Sequence, residues 1–127
     1  MGYEVKIYVG EKFDGMKELG ADYFSVAGMM DLCKPGYRSE LYKLCAETSA
    51  DKKYPAIRAY LRNGNECEFA DCYEKPLRAI PLELVLDALV QDAKNDRYHR
   101  FNVAVDFLKA FKEGFKSDRL AAVLYGY

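Results

Sequence analysis

The chain has 127 residues and a formal net charge of −1. That length fits a single domain, residues 1–127, and a balance of 50% hydrophobic to 31% charged residues is typical of a folded globular protein and excludes a disordered one. Because duplex binding gains most of its affinity from neutralised phosphates, a near-neutral chain argues against a nucleic-acid partner.

The sequence also argues against a membrane or metal protein. Its first ten residues read as a strand and not as a secretory leader, and no apolar run reaches the ~18 residues that a membrane-spanning helix needs. The cysteines contain no C-x-x-C spacing, and the single histidine cannot complete a Cys/His site. We therefore expect reduced thiols, a cytoplasmic protein, and no metal ligands.

The first third of the chain predicts one strand and one short helix. Residues 3–9 alternate in polarity and predict a half-buried strand. Three glycines spaced five apart then predict a polar loop that does not match phosphate-binding glycine motifs: Gly10, Gly15 and Gly20. Ser25 resembles a helix N-cap, and the apolar residues after it recur at helical spacing: Val26, Met29, Met30 and Cys33.

The middle of the chain predicts a β-hairpin. Residues 39–46 fit either a helix behind a Ser39 cap or a short strand, and we favour the helix. Residues 56–71 contain two alternating runs around Asn63-Gly64-Asn65, which predicts a hairpin. Sorting the apolar residues onto one face favours a three-residue turn, with Arg62 opposite Glu66.

The last part of the chain predicts two amphipathic helices and a strand. Apolar residues recur at helical spacing over residues 81–93 and again over residues 97–115. The tail alternates at Val123, Tyr125 and Tyr127, which indicates a final strand. The predicted fold is therefore α+β: a small antiparallel sheet with a β-hairpin, covered on one face by the two helices.

The segment DRYHRF, residues 96–101, holds the only histidine of the sequence and the best candidate for an anion site. The helical period places His99 on the solvent side, where a general base is not expected. Cationic and tyrosyl side chains at the first turn of a helix suit an anion, and this candidate site comprises Lys94, Arg97, Tyr98 and Arg100. The alternative is that these arginines pair with nearby carboxylates. Tyr37 and Arg38 form a secondary candidate at another helix start.

Residues 71–89, DCYEKPLRAIPLELVLDAL, follow the pattern D-x-Y…P-L-x-x-I-P…V-L-x-A-L. In this pattern the chain resembles small uncharacterised accessory proteins encoded by bacteriophages and prophages, although Glu74 stands where that pattern has glycine. The resemblance implies an accessory product that binds a host protein or defence component in the host cytoplasm. It implies no catalytic residues.

Three functions remain open from the sequence. The first is a non-enzymatic, homo-oligomeric binding protein that inhibits a bacterial protein or defence system; eleven tyrosines favour it, since tyrosine is common at interfaces. The alternative is a nucleotide or cyclic-nucleotide sponge that uses Arg97, Tyr98 and Arg100. The second alternative is a small hydrolase with His99 as the base. No recognisable catalytic motif is present, and we expect neither catalytic residues nor a cofactor.

Overall fold

Six strands and three helices make up the part of the chain that the computed structural model describes, namely residues 4–13, 22–33, 38–50, 54, 56–60, 66–68, 77–95 and 100–126. The strands are β1 (Glu4–Phe13), β2 (Asp22–Cys33), β3 (Ile57–Tyr60), β4 (Glu66–Glu68), β5 (Ala79–Pro81) and β6 (Leu120–Gly126). The helices are α1 (Glu40–Ala50), α2 (Leu82–Ala93) and α3 (Arg100–Phe115).

All six strands belong to one sheet with the order β4-β3-β2-β1-β6-β5. Neighbouring strands of the sheet are antiparallel, except for β2 and β3, which run parallel. Helix α1 connects these two, as the crossover of a parallel pair requires. The predicted α+β class is confirmed, and the parallel pair is a feature that the sequence did not predict.

The sheet curls back on itself. Ala56 and Arg78, directly before β3 and β5, form an isolated antiparallel bridge, and the Ile57 N–H donates to the Leu77 carbonyl at 3.1 Å. This bridge joins β5 to the start of β3, so five strands form a nearly closed ring with β4 outside it. We call this ring the barrel. The sheet therefore has a helix-covered face and an inner face.

The helix-covered face holds the larger core. Val5, Ile7 and Val9 of β1 are fully buried there, which confirms the predicted alternation. Helices α2 and α3 contribute buried apolar stripes: Leu82, Val85, Leu86, Leu89, Phe101, Ala104, Val105 and Leu108. The predicted stripe of the second helix was wrong at its end, since Phe115 is 39% exposed. Residues 97–99 of the second predicted helix lie outside the described residues.

Strand β1 is longer than predicted, since residues 10–13 continue it where we expected a loop. The register shifts between Val9 and Gly10, opposite a bulge in β2. A Cβ on Gly10 would lie 1.9 Å from the Ser25 carbonyl oxygen. Gly10 is therefore needed for a close approach of two backbones, and not for a turn.

The helix predicted after Ser25 is wrong, because residues 22–33 form strand β2. Val26 and Met29 do not share a buried stripe; they are 37% and 47% exposed. Gly28 lies beneath the Phe111 ring of α3, where an added Cβ would come within 2.5 Å of that ring. Packing between the strand and α3 thus overrides the helical spacing, which arose by coincidence.

Two predictions for the middle of the chain had different outcomes. The favoured helix after Ser39 is confirmed as α1. The predicted hairpin is present as β3 and β4, but its register differs by two residues, since Tyr60 pairs with Glu66 and Arg58 with Glu68.

The inner face of the ring has a separate, smaller core. Its buried members come from four strands and the segment before β5: Phe24, Ile57, Leu77, Ala79, Ala121 and Val123. Tyr8 and Tyr125 pack against this cluster and are partly buried. Two of its six buried members are alanines, Ala79 and Ala121.

Candidate functional site: a basic cleft at the end of the barrel

The anion site predicted from the sequence is described only in part. Lys94 caps the C-terminus of α2 and is exposed, with Nζ 3.4 Å from the Gln91 side-chain oxygen. Arg100 begins α3 and is half-buried, with its guanidinium 5.9 Å from the centre of the Phe101 ring. Arg97, Tyr98 and His99 lie outside the described residues, so this site remains a prediction.

Lys94 borders a shallow groove of about 370 Å³ between α2 and α3. The same groove is lined by Asn102 and Lys109, with Val90, Ala93 and Val105 also in its wall. Arg100 is not among its lining residues. Of the two described members of the predicted anion site, only Lys94 lines this groove.

The start of α1, where the secondary candidate lies, is capped from within the protein. The buried Asp92 carboxylate accepts the N–H groups of Glu40 and Leu41 at 2.7 and 2.9 Å. The Ser39 hydroxyl accepts that of Tyr42 at 3.1 Å. These three amides are therefore not available to an external anion. Arg38 is exposed before the helix, and Tyr37 lies outside the described residues.

A larger cleft, of about 670 Å³, opens at the end of the barrel where β1 ends and β6 begins. It brings together residues that are distant in the sequence: Lys12, Phe13, Tyr54, Ala79, Ile80, Pro81, Asp118, Arg119, Leu120 and Ala121. We call this the barrel-end cleft.

The barrel-end cleft has an apolar floor and two aromatic walls. Ala79, Ile80 and Ala121 are buried, so they form a floor of small and aliphatic groups. Phe13 and Tyr54 stand at its sides. The Tyr54 backbone is fixed by Arg78, whose Nη1 donates to the Tyr54 carbonyl at 2.6 Å. The cleft therefore offers apolar and aromatic contacts to a ligand.

The charged rim of the cleft has two cations and one acid. Among the described lining residues, Lys12 and Arg119 carry positive charges and Asp118 a negative one, a net charge of +1. The Arg119 guanidinium lies 5.1 Å from the centre of the Phe13 ring, within range of a cation–π contact. Arg119 is exposed and makes no ion pair with any residue that the structure describes. Its charge is thus open to an external anion.

Sequence reasoning missed this cleft, because its residues come from four separate segments of the chain. The one local signal was the pair Lys12-Phe13, a cation beside an aromatic ring, which we assigned to a loop. Recognising the pair as the end of a strand required the β1–β6 pairing, in which the Lys12 N–H donates to the Arg119 carbonyl at 2.9 Å.

Comparison with known proteins adds no relative: no family model matches the chain, and neither a curated protein nor a solved structure is significantly similar to it. Among the described residues, no three His, Cys, Asp or Glu side chains are grouped as metal ligands. None of the described helices has the length and hydropathy to cross a bilayer.

Proposed function

We propose that this protein is a non-enzymatic binding protein whose ligand is a small molecule with an anionic group and a flat apolar part, such as a nucleotide. The barrel-end cleft is the observation that supports this proposal. It combines an apolar floor, two aromatic walls and an arginine without an acidic partner among the described residues.

The size and lining of the cleft fit a small ligand. Sites for small molecules usually enclose about 300–1,000 Å³ and carry mostly apolar walls with a few polar groups that fix orientation. The barrel-end cleft, at about 670 Å³, falls within that range. Its apolar floor would hold the ring of the ligand, while Arg119 at the rim would hold its anionic group.

The non-enzymatic part of the proposal comes from the sequence, which contains no recognisable catalytic motif. In the cleft itself, the lining residues offer charge and apolar contact. None of the ten lining residues is a serine, a cysteine or a histidine. Binding is therefore the simplest chemistry that this set of side chains supports.

A thermal-shift and calorimetry panel of nucleotides and cyclic nucleotides tests the proposal. A ligand present at 100 times its dissociation constant should stabilise the protein by about 2.7 kcal/mol. Arg119→Ala should abolish most of that stabilisation. Lys109→Ala is the matched control, because it removes an exposed cation that lies outside the cleft. Equal binding by wild type and Arg119→Ala would contradict the assignment of the cleft.

A second candidate function is recognition of a protein, either a bacterial partner or a second copy of the chain. The observation that favours it is the exposure of Val26 and Met29. Both lie on the Tyr8 side of β2, where their exposure shows that the inner face is open to solvent, and Met29 pairs with Tyr8 in the register. Exposed apolar side chains beside tyrosine are typical of interfaces.

This second candidate is tested with the double variant Val26→Thr/Met29→Thr, which places a polar β-branched residue at both positions of the strand. A bacterial protein that wild type captures, and that the variant does not, would support a phage-type inhibitor. If the variant captures the same protein equally well, this face is not the interface.

A further inference from the structure

We infer that helix α3 is the docking surface for an amphipathic helix of a protein partner, one that carries basic residues beside its apolar face. No residue of α3 lines the barrel-end cleft, so this inference is independent of the proposed function. It also concerns a different surface from the second candidate function, which uses the inner face of the sheet. An exposed apolar ridge, a groove beside it and an acidic border support the inference.

Four apolar residues form a ridge along α3: Val103, Phe107, Phe111 and Phe115. They are spaced four residues apart, and rows with this spacing are the ridges by which helices pack against one another. At a rise of 1.5 Å per residue, the ridge extends over about 18 Å. We call it the α3 ridge.

The core of the protein uses only part of the α3 ridge. Phe107 and Phe111 are partly buried and pack against the larger core, whereas Val103 and Phe115 are 57% and 39% exposed. The ring centres of Phe107 and Phe111 are 4.9 Å apart, and those of Phe111 and Phe115 are 6.3 Å apart. The rings thus form a continuous apolar surface with both ends of the ridge in solvent, and covering such a surface is favourable.

A groove lies beside the α3 ridge on its solvent side. It is formed by Ala110 and Gly114, which are both exposed and directly precede two of the ridge residues. A Cβ on Gly114 would have no atom within 4 Å, so no contact in the described part of the protein requires a glycine there. Glycine is unfavourable within a helix. A partner helix accounts for it, because small side chains allow two helices to approach closely.

The groove has an acidic border. At about 100° per residue, Asp106 and Glu113 project within about 20° of each other on the side of the groove away from the ridge. Both are exposed, and neither makes an ion pair with any residue that the structure describes. Lysines lie further round the helix, where Lys109 lines the groove between α2 and α3 and Lys112 contacts Glu83. Charge complementarity therefore favours a partner with lysine or arginine beside its apolar residues.

A helix fits this surface better than an extended segment does. The backbone of α3 is hydrogen-bonded within the helix, so it offers no ladder to which a strand could add. A partner helix satisfies its own backbone and can dock through side chains alone. A second copy of the chain is disfavoured, because an antiparallel two-fold pair would place the acidic border of one α3 against that of the other.

Three synthetic peptides test the class of partner by fluorescence anisotropy with the full chain at about 0.15 M salt. The first is an amphipathic helix of leucine, alanine and lysine; the second has glutamate in place of every lysine; the third is a scrambled version of the first. The lysine peptide should bind about tenfold more tightly than either of the others. Equal binding of the glutamate peptide or of the scrambled peptide, or no binding at all, would overturn the inference.

Two variants of the full chain test the apolar and the charged parts of the surface separately. Val103→Glu and Asp106→Lys/Glu113→Lys should each weaken binding of the lysine peptide about tenfold, and the charge variant should bind the glutamate peptide more tightly than wild type does. All three positions are exposed, so chemical denaturation should show folded variants. Lys109→Ala, further round α3, is the matched control with wild-type affinity. Undiminished binding by Val103→Glu would overturn the inference.

Other occupants of the α3 ridge give different results. A dimer in sedimentation velocity that Val103→Glu dissociates would assign the ridge to a second copy of the chain and overturn the inference. Binding to phosphatidylcholine vesicles that Val103→Glu abolishes would overturn it as well, because the ridge would then be a membrane surface. Gly114→Ala tests the groove: it should weaken the lysine peptide several-fold in a protein at least as stable as wild type. Undiminished affinity in that variant would contradict a helix docked in the groove.

Discussion

The two faces of the sheet have different compositions and, on our proposal, different tasks. The helix-covered face is filled with large aliphatic and aromatic side chains from β1, α2 and α3. The inner face has six buried members, two of which, Ala79 and Ala121, line the barrel-end cleft together with Ile80 and Leu120 of the larger core. On our proposal the helix-covered face supplies most of the stability, and the inner face, together with the edge of the larger core, borders the ligand.

The largest expected effect is a loss of stability on the helix-covered face. Leu108 of α3 is fully buried there, so Leu108→Ala should lower the free energy of unfolding by about 2–5 kcal/mol through lost burial and a cavity. Chemical denaturation measures this change. Val103→Ala, on the same helix at a position 57% exposed, is the control and should stay within about 0.5 kcal/mol of wild type.

A Leu108→Ala protein as stable as wild type would contradict the assignment of stability to the helix-covered face, because α3 would then not be part of the main core. A binding measurement tests whether the two faces are independent: the same variant should bind a nucleotide ligand with wild-type affinity below its unfolding transition. Leu108 does not line the barrel-end cleft.

The sequence predicted the helix-covered face well, for a physical reason. Burial against one layer gives a helix a repeat of about 3.6 residues and a strand a repeat of two, and both repeats are local. The stripes of α2 and α3 and the alternation of Val5, Ile7 and Val9 follow these repeats and are confirmed. Such patterns can be read without knowing which segments are neighbours.

The inner face and its cleft could not be predicted in the same way. Lys12, Tyr54 and Arg119 meet only because the sheet curls and the Ala56–Arg78 bridge closes it. That closure depends on pairings between distant segments, for which one sequence carries no periodic signal. The same limit explains β2, where Gly28 is required by an aromatic ring from α3, 83 residues further along the chain.

The next largest effect concerns Gly28, which distinguishes a strand from the helix that the spacing suggested. An added Cβ would lie 2.5 Å from the Phe111 ring, so Gly28→Ala should destabilise the protein by about 1–3 kcal/mol through overpacking. In an exposed helix the same change would stabilise by about 0.5–1 kcal/mol. Chemical denaturation therefore reads both the sign and the size of the effect.

Gly114→Ala is the matched control for this prediction. Gly114 lies within α3, and a Cβ there would meet no atom within 4 Å, so the change should stabilise the protein by up to about 1 kcal/mol. Replacing the ring with a smaller side chain, in Gly28→Ala/Phe111→Leu, should recover part of the lost stability, since the effects of substitutions at contacting residues are not additive. A stabilising Gly28→Ala would contradict the packing of α3 on β2.

The smallest effect on stability is expected at Met29, on the face of the sheet away from the helices. Because this side chain is already 47% exposed, Met29→Thr should change the free energy of unfolding by no more than about 0.5 kcal/mol.

The effect of Met29→Thr on assembly should be larger if the chain pairs with a second copy through this face. Sedimentation velocity should then show an oligomeric wild type and a monomeric variant of equal stability. A wild type that stays monomeric at high concentration removes self-association and leaves a different protein as the only partner for this face. An oligomer unaffected by Met29→Thr places the contact elsewhere on the molecule.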